Sequence, residues 1–331
     1  MAHRLRQTGR SVPLASAAVC GLLCLLAAPF GLRSQPAPDE GPRADAAAIQ
    51  SPNVISVSSS LVSVPVSVTD PAGRIIQDLA PGDFRIFEGG RAVEVSRVTG
   101  SRQSPLHLAL LFDLSGSVHS RFEFEREAAA RFLRTVWKPG DTITLITFSE
   151  RPRTHLERGE NLEAALSELA LLEPTKTGTA FFDTVVHAAR MLGKASAPET
   201  RQAQIVLSDG ADNQSDHGLA SAAEALQRSD TLFYAINPSG ASVRLNAINR
   251  KGHEDLSLLA SATGGTAFVS DPSSDLDSML GRIAAELRAQ YLLSYYSPSS
   301  RNDGTFRAIR VSIPGRPELS VRARQGYYAA P

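Results

Sequence analysis

The sequence predicts an α/β protein in which a doubly wound, mostly parallel sheet is inserted into a small antiparallel β-sandwich. From Leu106 onward, apolar strands alternate with amphipathic helices, the pattern of a parallel sheet covered on both faces. Before and after that region, short segments alternate between apolar and polar residues, as antiparallel strands do. Each flank is too short to enclose a core alone, so we expect the two flanks to form one sandwich.

The amino terminus is predicted to be an export signal, cleaved or retained as a membrane anchor. Residues 1–34 carry four arginines and no acidic residue, with an apolar run at 12–32. The run is nearly long enough to span a bilayer, so a membrane tether stays open. Both cysteines, Cys20 and Cys24, lie in this run, and its removal would leave no thiol chemistry. Residues 35–53 are rich in Pro, Ala and Asp and are predicted to be a flexible linker.

Composition limits the number of domains and the kinds of partner that the chain can have. Its 331 residues are 42% hydrophobic and 21% charged, enough for one large or two moderate domains. Without the four arginines of residues 1–34, 30 basic and 34 acidic residues remain. This slightly acidic balance gives no electrostatic case for nucleic acid as a partner.

The amino-terminal half of the sandwich is expected at residues 54–104. Four valines alternate with polar residues or proline, as in a half-buried strand, and Pro65 argues for an edge position. Turns are predicted at 70–73 and at Gly89-Gly90. The alternating valines are Val62, Val64, Val66 and Val68.

The doubly wound domain is expected at residues 105–289. Its first strand is followed by an amphipathic helix that ends at Pro139-Gly140. A strand at 141–148 is followed by a short antiparallel edge at 153–156. The apolar stripe assigned to the first helix is Phe122, Arg126, Ala129, Leu133 and Val136. Later strands are predicted at 205–207, 231–236 and 266–269, and helices at 162–172, 180–192, 219–226, 256–262 and 276–287.

The carboxyl-terminal half of the sandwich is expected at residues 290–331. Strands are predicted at 291–296, 306–313 and 319–323. Because domain termini commonly lie close together, insertion of the α/β domain between the two halves is sterically simple.

Oxygen-bearing side chains follow the first strand of the doubly wound domain. Asp113, Ser115 and Ser117 stand where the strand ends and the helix begins. An open parallel sheet presents its ligand sites at the carboxyl ends of its strands. Carboxylate and hydroxyl oxygens suit a hard divalent cation, which keeps several waters and takes few protein ligands. These three residues therefore predict part of a metal site.

Two later segments can complete the site. Thr179 stands at the start of a helix, in Thr177-Gly-Thr-Ala180. Asp209 follows another apolar strand, and Asp212 is a further candidate three residues later.

The order of these residues resembles the metal-ion-dependent adhesion site of the von Willebrand factor A domain. That site reads Asp-x-Ser-x-Ser, then Thr, then Asp, which here are Asp113, Ser115, Ser117, Thr179 and Asp209. The resemblance implies a Rossmann-like fold and a bound Mg²⁺ or Mn²⁺. It also implies that the serines, and in one state the threonine, contact the metal directly. The aspartates are expected to act mostly through water.

The flanks resemble those of exported bacterial A-domain proteins, particularly a group typical of acidobacteria. The segments concerned are residues 66–74, 83–88 and 322–327. The resemblance implies an exported protein, periplasmic or secreted, that acts in adhesion or assembly.

Hydroxyl donors determine what such a site would bind. Serine at 115 and 117 leaves the cation's charge under-compensated, because a neutral oxygen replaces a carboxylate. An Asp or Glu carboxylate from a partner protein can then complete the coordination. We therefore expect a protein ligand that presents a carboxylate, and the long polar loop at 238–253 lies where it could add selectivity.

Other interpretations stay open at this stage. Ser117 is equally typical of a helix cap in a solvated turn. The metal could also be purely structural in a scaffold of an envelope complex. An enzyme is less favoured, because a Ser115 nucleophile needs a base. His107 lies inside the strand and His119 is the histidine nearest the motif. No catalytic residue is predicted.

Overall fold

The structure, a computed structural model, describes a defined part of the chain: residues 60–100, 104–116, 121–194, 200–238, 247–269, 276–299 and 301–330. The predicted export signal, the linker and Ser117 lie outside these ranges. Among the helices within them, none is both long and apolar enough to cross a bilayer.

The order of the elements agrees with the prediction: strands come first, then alternating strands and helices, then strands again. The amino-terminal strands are β1 (Leu61–Thr69), β2 (Arg85–Glu88), β3 (Arg91–Val93) and β4 (Arg97–Gly100). The alternating region comprises β5 (Leu106–Asp113), α1 (Phe122–Val136), β6 (Thr142–Phe148), β7 (Pro152–Gly159), α2 (Leu162–Ala170), α3 (Phe181–Gly193), β8 (Arg201–Leu207), α4 (Leu219–Arg228), β9 (Thr231–Asn237), α5 (Ala247–Thr263), β10 (Ala267–Val269) and α6 (Leu276–Ala289). The carboxyl-terminal strands are β11 (Tyr291–Tyr296), β12 (Phe306–Ser312), β13 (Ser320–Ala323) and β14 (Gly326–Tyr328).

The central sheet is doubly wound, which confirms the predicted fold class. Its strand order is β10-β9-β8-β5-β6-β7. All neighbours are parallel except β7, the predicted antiparallel edge. Helices α1, α2 and α6 cover one face, and α3, α4 and α5 cover the other. From β5 the chain builds the sheet in both directions, so the crevice between β5 and β8 is a topological switch point, where such sheets bind ligands.

The flanking strands form two four-stranded antiparallel sheets, and each sheet combines strands from both ends of the chain. Their orders are β13-β1-β11-β4 and β14-β12-β2-β3. A single apolar cluster lies between them, with Val64, Ile86 and Leu293 fully buried. Insertion of the doubly wound sheet into a composite sandwich is thereby confirmed. The boundaries placed after residues 104 and 289 remain predictions.

The edge position expected for the strand containing Pro65 is wrong. Strand β1 is flanked by β11 on one side and β13 on the other. Strand β13, however, pairs only with Val66 to Thr69. Leu61 to Pro65 has β11 as its sole neighbour within the described sheet, so the proline stands just where pairing with β13 stops.

The predicted loop at 238–253 is shorter than expected. Helix α5 begins at Ala247, well before the predicted start at Leu256. Its first turns include the polar run Arg250-Lys-Gly252, which carries no apolar periodicity. Part of the polar segment next to the carboxyl edge is therefore helix.

Candidate metal centre at the carboxyl edge of the sheet

Asp113 ends strand β5 and is held on both carboxyl oxygens. The Ser115 backbone N–H donates to Oδ1 at 2.8 Å. The Ser208 hydroxyl donates to Oδ2 at 2.7 Å, and Ser208 directly follows the neighbouring strand β8. Asp113 and Ser208 are both fully buried. These bonds span the switch point and fix the carboxyl group in one orientation.

Asp209 adds a second carboxyl group to the same place. Burial is the main reason that the pKa of Asp113 is raised to about 6; the hydrogen bonds from Ser115 and Ser208 oppose the rise, and the charge of Asp209 contributes to it. Asp209 is itself 4% exposed, and its Oδ1 accepts the Ala211 N–H at 3.0 Å. Two of the predicted site residues therefore lie close enough for their charges to interact.

Thr179 is joined to the loop that follows β8. Its N–H donates to Asn213 Oδ1 at 2.8 Å, and its carbonyl accepts the Asn213 N–H at 3.0 Å. The preceding turn is joined to the other end of the site, because the Thr175 N–H donates to the Leu114 carbonyl at 2.7 Å. The three predicted segments are thus linked to one another at the carboxyl edge.

Asp212 has a different role from the one considered in the sequence. Its Oδ1 accepts the Phe181 N–H at 2.8 Å and the Ser215 hydroxyl at 2.6 Å. Phe181 is the first residue of α3, so Asp212 satisfies an amide at the start of that helix and complements its dipole. We therefore assign Asp212 to helix capping.

Gly210 sets the path of the loop after β8. Its φ of +74° lies in the region that favours glycine, and a Cβ there would stand 2.6 Å from the Gly252 carbonyl oxygen. The backbone next to Asp209 therefore packs directly against helix α5. A side chain at either glycine would displace the loop that carries Asp209.

The sequence interpretation missed Glu125, a buried acid in the first turn of α1. It is 1% exposed, and neither carboxyl oxygen has a hydrogen-bond partner in the described structure. Burial raises its pKa to about 8; the charges of Asp113 and Asp209 add to the effect, and Arg121 opposes it. The available signal was its spacing, since it stands three residues after the buried Phe122.

The chemistry of these groups fits a hard cation. Asp113, Asp209 and Glu125 are three buried carboxyl groups, and ionising a buried carboxyl group without a compensating positive charge is unfavourable. Hydroxyl oxygens at Ser115 and Thr179 are the neutral donors that such a cation accepts. Within the described ranges, no group of three or more His, Cys, Asp or Glu side chains is arranged to hold a metal by itself.

Four of the described histidines contact threonines or an aspartate: His107 with Thr144, His155 with Thr147, His187 with Thr154 and His217 with Asp183. His119, the histidine nearest the first motif, lies outside the described residues.

Fold and site together define a doubly wound α/β domain with an oxygen-lined centre at its switch point. Residues 108–211 match the family model of the von Willebrand factor type A domain. That range includes Asp113, Ser115, Ser117, Thr179 and Asp209. The chain therefore contains a von Willebrand factor type A domain.

Several solved structures are similar to part of the chain. The conserved hypothetical protein BatB from Bacteroides thetaiotaomicron is 17% identical, with a TM-score of 0.42 over 55% of this chain and 97% of that one. The von Willebrand factor domain of the type V pili tip protein Mfa5 from Porphyromonas gingivalis is 11% identical, with a TM-score of 0.45 over 55% and 94%.

A third similar structure is proximal thread matrix protein 1 from the mussel byssus, with a zinc-occupied MIDAS motif. It is 15% identical, with a TM-score of 0.49 over 61% of this chain and 50% of that one. Comparison with curated proteins finds no match. At such identities the function has to be argued from the site itself.

Proposed function

We propose that this chain is a metal-dependent protein-binding module of an adhesion or assembly system. In this proposal Asp113, Ser115, Ser117, Thr179 and Asp209 hold Mg²⁺ or Mn²⁺. The cation binds an Asp or Glu carboxylate of a partner protein. The predicted export signal would take the module to the periplasm or the cell exterior, free or tethered through residues 12–32.

One observation supports this proposal most strongly. Asp113, the last residue of β5, and Asp209, two residues beyond the end of β8, are both buried, and the charge of Asp209 acts on Asp113. Two carboxyl groups brought together without an intervening base repel each other, and that repulsion is relieved when a cation binds between or beside them. The family match covers both residues.

The donor set also supports a carboxylate as the partner's group. Two aspartates can balance the charge of a divalent cation, and hydroxyl donors add none. If the aspartates act through water, the cation's direct contacts remain neutral, and an incoming anion is attracted. A Mg²⁺ ion retains exchangeable waters in such sites, so one position can be given up to the partner.

The experiment has two stages, both on the full chain. Calorimetric titration with MgCl₂ and MnCl₂ measures cation binding to the wild type, Asp113→Asn and the control Asp78→Asn, an exposed aspartate of the sandwich. Immobilised chain is then exposed to an envelope extract in Mg²⁺ or in chelator. We expect captured protein only with Mg²⁺, and only for the wild type and the control.

Two outcomes would contradict the proposal. Absence of cation binding by the wild type would remove its basis. Capture that persists in chelator would show that binding does not pass through a metal. A large thermal stabilisation by cation without any captured partner would favour the structural scaffold instead.

A further inference from the structure

Glu125 differs from the other glutamates of its helix. Its side chain is buried with both oxygens unpartnered in the described structure. Glu123 and Glu127, two residues before and after it, have side chains that are 70% and 68% exposed and pair with arginines. Residues two positions apart lie on roughly opposite sides of a helix, because a turn takes 3.6 residues. Glu125 is therefore buried, whereas Glu123 and Glu127 are exposed.

The helix face that carries Glu125 lies over the end of strand β5. Phe122 and Phe112 make an edge-on ring contact, with centroids 5.7 Å apart at 88°. Phe112 directly precedes Asp113, and Glu125 lies one turn along the helix from Phe122. The contact packs the first turn of α1 against the end of β5, and Glu125 is buried on the same side of that helix as Phe122.

The charges in this region agree with that position. Asp113 and Asp209 both act on Glu125 and raise its pKa, in addition to burial. Arg121, the residue before α1, lowers it, but its guanidinium also donates to the Pro238 carbonyl. A carboxyl group kept in such surroundings needs either a proton or a positive charge from outside the chain.

We propose that Glu125 is a further anionic group of the cation site and adds a third negative charge to those of Asp113 and Asp209. This inference rests on the proposed function, because it requires a divalent cation at the carboxyl edge. It also deepens that function: a third negative charge tightens cation binding and lowers the positive charge left for the partner's carboxylate. Glu125 would thus raise the affinity for the cation and lower the affinity for the partner.

The test measures MnCl₂ binding to the full chain by calorimetry. Glu125→Gln keeps the shape of the side chain and removes its charge, and Glu127→Gln makes the same change on the exposed face of α1. We expect Glu125→Gln to weaken Mn²⁺ binding by about ten-fold or more, the usual effect of losing an outer ligand. Glu127→Gln should bind as the wild type does.

Two further measurements separate this role from a purely structural one. Without cation, the melting temperature of Glu125→Gln should equal or exceed that of the wild type, because an uncharged amide replaces an unpartnered acid. With saturating Mn²⁺, it should rise by less than that of the wild type. Glu125→Asp keeps the charge and should retain more affinity than Glu125→Gln.

The outcomes also distinguish this inference from the proposed function. If the wild type binds Mn²⁺ and Glu125→Gln binds it equally well, the role of Glu125 is refuted and the proposed function stands. If the wild type binds no divalent cation, both fail together.

Discussion

Two buried glutamates in this chain have opposite surroundings. In the sandwich, Glu88 is 5% exposed and accepts hydroxyl hydrogen bonds from Tyr295 at 2.7 Å, Ser297 at 2.8 Å and Tyr327 at 3.1 Å. In the A domain, Glu125 is 1% exposed and has no hydrogen-bond partner in the described structure. The two side chains share their chemistry and burial, and they differ in what the fold provides around them.

A buried acid whose oxygens are all hydrogen-bonded within the fold is structural, whereas a buried acid without such partners is a candidate for a ligand from outside the chain. Burial and the neighbouring Glu88 carboxylate raise the pKa of Tyr295, so the phenol keeps its proton and remains a donor. The sandwich thus compensates its acid completely from within. At the carboxyl edge the compensation is incomplete, and buried polar groups without partners are uncommon in folded proteins.

Replacing Glu88 in the sandwich is expected to cause the largest loss of stability. Glu88→Ala leaves the hydroxyls of Tyr295, Ser297 and Tyr327 without their acceptor. We expect the free energy of unfolding to fall by about 4 kcal/mol in urea titration, with or without Mg²⁺. The matched control is Glu94→Ala, an exposed glutamate of the same region, which should change little. If Mg²⁺ restored the lost stability, Glu88 would not differ from Glu125 in the way argued above.

Cation binding is expected to stabilise the A domain side. At about one hundred times its Kd, Mg²⁺ should raise the free energy of unfolding by about 2.7 kcal/mol, because it binds the folded chain alone. Chelator should remove the gain, and Asp113→Asn should abolish it. Thermal unfolding at several Mg²⁺ concentrations measures the effect. An equal gain in Asp113→Asn would mean that the cation binds elsewhere.

The cation-free chain should lose stability as the pH rises. The pKa of Asp113 is raised from 3.8 to about 6 and that of Glu125 from 4.5 to about 8. The folded state therefore holds these protons more tightly than the unfolded state. Their contribution is fully present below about pH 4 and is lost as the pH rises through about 8.

The difference between wild type and Glu125→Gln isolates this effect from other titrating groups. Relative to the variant, the wild type should lose about 4 kcal/mol between pH 4.5 and 8.5 in chelator, measured by urea titration. Saturating Mg²⁺ should reduce that loss. Parallel pH curves for the two proteins would show that Glu125 carries no tightly held proton.

The smallest predicted effect concerns Asp212. Asp212→Ala removes the acceptor for the Phe181 N–H at the start of α3 and should cost about 1 kcal/mol. The Kd for Mn²⁺ should stay within about two-fold of the wild-type value, since the residue serves the helix. A large loss of cation affinity would show instead that Asp212 belongs to the metal site.

Much of the fold was readable because several strands of the central sheet are rich in apolar residues. All residues of β5, β8 and β9 are buried, and their sequences are correspondingly rich in apolar residues. The start of α5 was missed because Arg250, Lys251 and Gly252 carry neither apolar periodicity nor a helix-start signal. Contact between that glycine and the loop at Gly210 is tertiary, and no local pattern reports it.

Glu125 was overlooked for a similar reason. The stripe assigned to α1 stepped from Phe122 to Arg126, four residues on, yet Glu125, three residues on, belongs to the same face. A charged residue is ordinarily expected to point outward, and the sequence offers no means of choosing between the two spacings. The structure decides in favour of Glu125, which is buried, whereas Arg126 is only partly covered.

If the chain is anchored through its first residues, as we propose, the pairing of β1 with β11 has a mechanical consequence. Leu61 is opposite Tyr296 and Val66 is opposite Tyr291, so the anchored end and the A-domain end lie at opposite ends of the pair. Tension between an anchor and a ligand held at the carboxyl edge would slide the two strands lengthwise. All rungs of the ladder would share that load at once, whereas peeling would break them one by one. The sandwich would then serve as a shear-loaded joint between an anchor and a captured ligand.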